Sequence, residues 1–249
     1  MKKVAVFVEG QTEQIFVQKL IEQVISPNKA TVTTYQLRGG ARHTKNLIFL
    51  KTQPATQQTD YYFGIYDCGN DSKVKEDIIE HSQSMKQNGF SLIIGLRDVY
   101  PDNDKVASLR KYLNFGIPAD VPTHIVLAVN EVEAWFLAEE NHYSKIDTRL
   151  TLAMVNKIAG IDVSKDSTET VVHPTEKLQL IYRYSKSKNK VSRIVDALDY
   201  ANLYINVRQR NNSLAEFFTH LDSIFHCLDA EQLKNNDSEI NRFYEYRHN

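Results

Sequence analysis

Several apolar segments of this 249-residue chain end in acid. Glu9 follows residues 4–8, Asp67 follows 61–66, Asp98 follows 91–97, and Glu131 and Glu133 follow 124–130. If each segment is a strand of one parallel sheet, the ends share an edge, and carboxylates distant in sequence are expected to converge there. Mutual repulsion makes such a cluster unfavourable unless a cation neutralises it, and hard oxygen donors suit Mg²⁺ or Mn²⁺. Asp98 and Glu133 are the expected metal ligands, with Glu9 either a third ligand or the acid/base group that handles a proton. These three form the candidate catalytic set. Glu13, one turn into the following helix, is placed to reach a second ion, and Asp67, Asp102 and Glu131 are further candidate ligands. The competing reading is that acids after strands cap helices or close turns, which weighs most on Asp67, Asp71, Asp102 and Asp104. It weighs least on Glu9, which abuts an apolar strand and precedes a glycine. Of Glu131 and Glu133, one is expected to face inward and the other to lie on the surface.

The elements that must position these acids follow from the pattern of apolar residues. Strands are expected over residues 3–8, 31–37, 61–66, 91–96 and 124–129, with helices filling the gaps. Thr12 is the expected N-cap of a helix whose buried stripe holds Phe16, Leu20 and Val24. Residues 73–87 and 104–113 carry apolar positions at helical spacing, and each is followed by a glycine stop, Gly89 and Gly116. Strand and helix alternate up to about Phe136, which predicts an α/β, doubly wound, mostly parallel sheet over residues 1–140. Residues 141–249 lack strand signals and read as a C-terminal helical region.

The run from Val4 through Glu9-Gly10-Gln11-Thr12-Glu13 into a helix resembles the opening motif of the Toprim domain. That domain is shared by topoisomerases, bacterial-type primases and the overcoming-lysogenization-defect nucleases. Small stand-alone Toprim proteins of phage-defence loci are more similar still, since they also carry a segment like Glu131-Val132-Glu133-Ala134-Trp135-Phe136. The chain departs from the family where an Asp-x-Asp pair belongs: Asp98 is present, but position 100 is Tyr. The resemblance covers roughly the first 140 residues. It implies a metal-dependent nuclease that cleaves phosphodiester bonds in DNA or RNA, tRNA included, with a partner ATPase in control and a homodimer as one assembly state. The alternative, favoured by the incomplete pair, is a catalytically silent binding subunit.

Two further features suit a nucleic acid. Arg38-Gly39-Gly40-Ala41-Arg42-His43-Thr44-Lys45 follows an expected strand, so its glycine backbone and the charges of Arg38, Arg42 and Lys45 would lie on the acidic edge with Arg97. It lacks the Gly-Lys-Ser/Thr ending of a P-loop. Between Lys177 and Arg210, basic residues that include Lys186, Lys188 and Lys190 interleave with Tyr182, Tyr184, Tyr200 and Tyr204, a pattern suited to backbone phosphates and unstacked bases. A solvated helix face with inward tyrosines is the alternative. His173-Pro174-Thr175-Glu176 reads as a helix start.

Composition narrows the remaining classes. A formal net charge of −1 argues against a globally basic nucleic-acid coat protein, though it leaves local patches open. No apolar run approaches the ~20 residues of a bilayer span, and residues 1–9 lack a signal-peptide pattern, so a cytoplasmic protein without membrane contact is expected. Cys68 and Cys227 form no zinc-type spacing and are expected to be reduced.

Overall fold

The computed structural model describes residues 1–25, 29–39, 45–70, 73–99, 105–185 and 191–225. Among them a six-stranded sheet has the order β3-β2-β4-β1-β5-β6, formed by β1 (Lys2–Val8), β2 (Ala30–Arg38), β3 (Asn46–Thr52), β4 (Tyr61–Asp67), β5 (Leu92–Asp98) and β6 (Thr123–Ala128). Every pairing is parallel except β2 with β3. β1 and β4 are almost wholly apolar and, lying between neighbours, bury both faces, as parallel strands covered by helices must. The fold is the expected doubly wound α/β sheet.

Helix α1 (Gln11–Val24) covers one face, where Phe16, Val17, Leu20 and Ile21 meet Val4, Val6 and Val8. Helices α2 (Val74–Gln87) and α3 (Val106–Asn114) cover the other, against Ala5, Phe7, Ile93 and Ile125. Thr12 is not the N-cap: Gly10 takes that place, and Thr12 is the second helical residue. Starting the helix there puts Glu13 at its third position, from which its side chain folds back to within 3.4 Å of where a Gly10 Cβ would stand.

The gap between β2 and β4 holds no helix among the described residues; it holds the antiparallel strand β3. Thr33 and Thr52 hydroxyls pair across the ladder at 2.8 Å, and Tyr35 meets the Phe49 ring edge-on. Leu47, Ile48, Phe49 and Leu50 lie exposed on this edge strand, so the run lacks the polar alternation that marks a half-buried strand in sequence.

After β6 the chain is helical, as expected: α4 (Glu133–Ala138), α5 (His142–Ile146), α6 (Leu152–Ala159), α7 (Pro174–Tyr182), α8 (Val191–Ala197), α9 (Tyr200–Ile205) and α10 (Asn212–Phe225). These helices pack into the same core as α1. Trp135, Phe136 and Tyr200 surround the Phe16 ring at centroid distances of 5.2–5.9 Å, and Trp135 also meets Phe217 and donates to Ser213 Oγ at 2.9 Å. Tyr182 and Tyr200 are buried, and Tyr204 donates to Asp222, so these three pack inward, whereas Tyr184 stays exposed at 59%. Arg208 pairs with Asp222 and Arg210 with Glu140, so both cations of the expected phosphate grip already have acidic partners. Lys186, Lys188 and Lys190 lie outside the described residues.

A buried polar hub joins α4 to the later helices. Glu139 is fully buried and accepts from the backbone N–H groups of Asn141, His142 and Asp199 and from Asn202 Nδ2, at 2.9–3.1 Å. Burial pushes its carboxyl up, but the hydrogen bond and charge of His142, with Asn202 and the Asn141 N–H, hold it below the ordinary value. Because its folded-state value is depressed, its contribution to stability is present above the ordinary carboxyl value of 4.5 and is lost as pH falls through the folded value.

Two substitutions test this packing. Glu139→Ala strands buried donors and is expected to cost about 3–5 kcal/mol in denaturant unfolding; a cost under about 1 kcal/mol would show the hub to be incidental. At Gly95, an added Cβ would stand 2.9 Å from Ile78 Cδ1 and 3.1 Å from Ile125 Cγ1. Gly95→Val is therefore expected to destabilise by about 1–3 kcal/mol through displacement of α2.

Candidate functional site

The sheet reverses its winding between β1 and β5. β1 leads through α1 to β2 on one side, whereas β5 leads through α3 to β6 on the other, and the covering helices lie on opposite faces. The loops leaving the two adjacent strands therefore diverge and open a crevice at their carboxyl ends, the usual ligand position in such sheets. Glu9 and Asp98 meet there. The backbone N–H of Asp98 donates to Glu9 Oε1 at 2.6 Å, and Asp98 Oδ1 in turn accepts from the Val132 N–H at 3.2 Å.

Electrostatics tie the other expected acids to this pair. Burial first, then the charges of Glu9, Glu13, Glu133 and Glu131, hold Asp98 well above the usual carboxylate range. Burial, Glu13 and Glu131 push Glu133 up to about 7. Glu13 is raised by burial and by Asp67 and Glu131, against the backbone N–H groups of Glu13 and Gly10, which favour its charged form. Six carboxylates at the ends of four parallel strands and in the first turns of the helices that follow thus act on one another across a single edge of the sheet. Glu131 and Glu133 are both half-buried and both act on Asp98, so neither is simply a surface residue. Asp102 lies outside the described residues.

The arrangement is crowded without being a closed cage. Among the described residues, no group of three His, Cys, Asp or Glu side chains is drawn together as a metal site. Several oxygens are held by protein donors: Asp67 Oδ1 accepts from Gly69 N–H at 2.8 Å and Oδ2 from Gln36 at 3.3 Å, the turn-closing role weighed against it above. Glu131 Oε2 accepts from Thr175 Oγ1 at 2.7 Å.

The segment carrying Glu131 is strained. Asn130 and Glu131 have φ of 61° and 78°, left-handed values unusual for a glutamate. Two residues so placed cost on the order of 1–3 kcal/mol each, and such strain concentrates where geometry serves a site. The pair is held from outside: buried Asn130 donates to the Glu169 carbonyl at 2.7 Å, and Thr175 secures Glu131.

The expected cationic residues fare unequally. Arg38 donates through Nε to Gln36 Oε1 at 2.7 Å and so adjoins Asp67 through Gln36. Gly39 has φ 102°, with open space around it. Lys45 does not face the edge as a free cation. Its ammonium is buried in an ion pair with Asp77 at 2.7 Å and donates to the Cys68 carbonyl, fastening its segment to α2. Arg97 precedes Asp98 at the end of β5, so its side chain leaves the other face of the sheet, with its Nε shielded from solvent and without a hydrogen-bond partner. Gly40 and Arg42 lie outside the described residues.

The profile of the family described as a domain of unknown function (DUF4276) matches residues 8–222. The chain belongs to the DUF4276 family. Among curated proteins none matches it in sequence. A solved structure of a candidate cell surface hydrolase from Lactobacillus plantarum WCFS1 is similar at 12% identity and a TM-score of 0.33, over 65% of this chain and 64% of that one, under two thirds of its length. In this DUF4276 protein no described helix is long and apolar enough to cross a membrane.

Sequence patterning led to the acids and missed the groups that position them. Thr175, Asn130 and Glu169 are unremarkable in type and spacing, and Thr175 acts on Glu131 from 44 residues away. The start of α7 was legible: Pro174 occupies its first turn and Glu176 its acidic position.

The crowding has a signed consequence for stability. An acid whose folded-state value is raised binds its proton more tightly when folded, so its contribution is largest below the ordinary value of 4.5 and declines as pH rises toward about 7, the value for Glu133. Asp98→Asn removes one charge from the cluster while keeping an acceptor for Val132. In the metal-free DUF4276 protein it is expected to add about 1–3 kcal/mol at pH 8 and far less near pH 4.5, read as thermal midpoints at both pH values. A lowered midpoint at pH 8 would contradict the repulsion.

Proposed function

We propose that this protein is a divalent-metal-dependent phosphodiesterase that cleaves DNA or RNA. The observation carrying this reading is the meeting of Glu9 and Asp98 at the β1/β5 crevice, with Glu13, Glu131 and Glu133 in electrostatic contact. Support for a cation comes from the donor set, which is carboxylate oxygen throughout and carries repulsion that a positive ion would relieve. The absence of a three-sided cage among the described residues is compatible with Mg²⁺, which commonly uses one or two carboxylates and takes further ligands from water and substrate phosphate.

Asp98 and Glu133 would hold Mg²⁺ or Mn²⁺, with Glu13 and Glu131 beside them. A bound ion would supply Lewis-acid stabilisation of a phosphoryl oxygen and a more acidic attacking water. Glu9, fixed by the Asp98 N–H, would orient that water and take up its proton. Arg97, at the end of β5 one residue before Asp98, would offer its guanidinium to a non-bridging phosphate oxygen, and Arg38 would meet the strand further along the edge. The chain lacks a P-loop, so control by a partner ATPase, as in phage-defence systems, belongs to the same proposal.

The test is cleavage of mixed DNA and RNA in Mg²⁺ or Mn²⁺ by the wild type, Glu9→Ala and Asp98→Asn, with and without a candidate ATPase. Either substitution is expected to lower the rate on the order of 10²–10⁴-fold. Cleavage that survives Glu9→Ala places the chemistry elsewhere. Failure of the wild type to cleave in every arm favours a catalytically silent binding subunit.

Ion binding has its own readout. Millimolar Mn²⁺ is expected to raise the thermal midpoint of the wild type at pH 8, to do so much less at pH 5, and to lose most of the effect in Asp98→Asn; equal shifts in both proteins would place the ion elsewhere.

A further inference from the structure

The two groups that hold the strained Asn130-Glu131 pair lie on one strap, residues 169–175. The Glu169 carbonyl accepts from Asn130, and the Thr175 hydroxyl donates to Glu131. Between these anchors, Thr170, Val171, Val172 and His173 form the wall of a cavity of about 410 Å³. Ala159 and Ile161 line it from α6 and the turn after it, and Glu176, Lys177 and Leu180 from α7. The cavity therefore begins within about one helical turn, ~5 Å along α7, of a hydroxyl bound to the acid cluster.

Its lining is mixed, apolar side chains with a few polar groups. Ala159, Ile161, Val171, Val172 and Leu180 supply apolar walls, and Val172 and Leu180 are large apolar groups left exposed at 58% and 40%. His173, with a left-handed φ of 57°, Glu176 and Lys177, whose ammonium also donates to the Ile158 carbonyl at 3.1 Å, are its polar lining residues. A few polar groups on an apolar lining are typical of small-ligand pockets, which span ~300–1,000 Å³. At about 410 Å³ this one is of a size for a single nucleoside.

We infer that this cavity takes an unstacked nucleobase of the substrate strand, next to the phosphate presented to the acid cluster. The inference rests on the phosphodiesterase reading and narrows its substrate to nucleic acid that is single-stranded at the cut. Unstacked bases are held by flat contacts and by hydrogen bonds to their edges, which the walls and the three polar residues provide.

The experiment has a binding arm and a cleavage arm, both on the full chain. Nucleoside monophosphates are titrated into methyl-labelled protein, and oligonucleotides carrying an abasic site at successive positions are cleaved in Mn²⁺. Expected are shifts of the Val171, Val172 and Leu180 methyl signals with nucleoside monophosphates but not with ribose 5-phosphate. Val172→Ser should weaken that binding, and Leu180→Glu should reduce it at least about 10-fold. In the cleavage arm, an abasic site beside the scissile bond should lower kcat/KM at least about 10-fold in the wild type and little in Leu180→Glu, and a fully paired duplex should be a poor substrate. Cleavage with unmoved methyl signals, or with indifference to abasic sites, overturns the cavity assignment alone. Methyl shifts without cleavage in any arm overturn the phosphodiesterase reading and leave a nucleotide-binding cavity.

Discussion

Like charges gathered at one edge of a parallel sheet constrain the rest of this molecule. Parallel pairing of β1 with β4 and β5, and of β5 with β6, leaves no freedom over where Glu9, Asp67, Asp98 and the Glu131–Glu133 segment emerge. Partial burial then denies these carboxylates the water that would screen them. Asp98, Glu133 and Glu13 consequently hold protons more tightly than free carboxyls do. In the function proposed above, a divalent cation relieves this repulsion.

The packing that sustains this cost lies well away from the crevice. Helix α4, which starts two residues after the strained Asn130-Glu131 pair, is almost wholly buried, and its Trp135 and Phe136 lock against Phe16 of α1. Immediately after it, the Glu139 hub ties in α5 and α9. The strap over residues 169–175 completes the clamp, so the helices beyond residue 141 share the core of the sheet and help to aim one of its acids. The strap that holds Glu131 also walls the cavity, which is the physical basis of the proposal that the two act together.

Where sequence reading departed from the structure, a long-range partner was responsible. β3 is an exposed edge strand stabilised by cross-strand pairs with β2, and its unbroken apolar run carries no period that distinguishes strand from buried helix. Lys45 looked like a free cation beside paired glycines, but Asp77, 32 residues later, takes its charge. Tyr182, Tyr200 and Tyr204 alternate with basic residues in the chain yet turn toward the core or toward Asp222, because helical spacing directs aromatic rings inward wherever an apolar face is available.

By itself the chain determined its α/β class, the central strands and the acids at their ends. Those features follow from local rules: apolar runs bounded by turn residues make buried strands, and parallel strands end on a common side. Only the tertiary structure decided which acids interact, that β1 and β5 bracket the crevice, and that Glu131 is held in a left-handed conformation by Thr175 and, through its neighbour, by Glu169. The reason is that electrostatic coupling and backbone strain depend on distances between residues tens of positions apart. Periodicity along a sequence does not encode those distances.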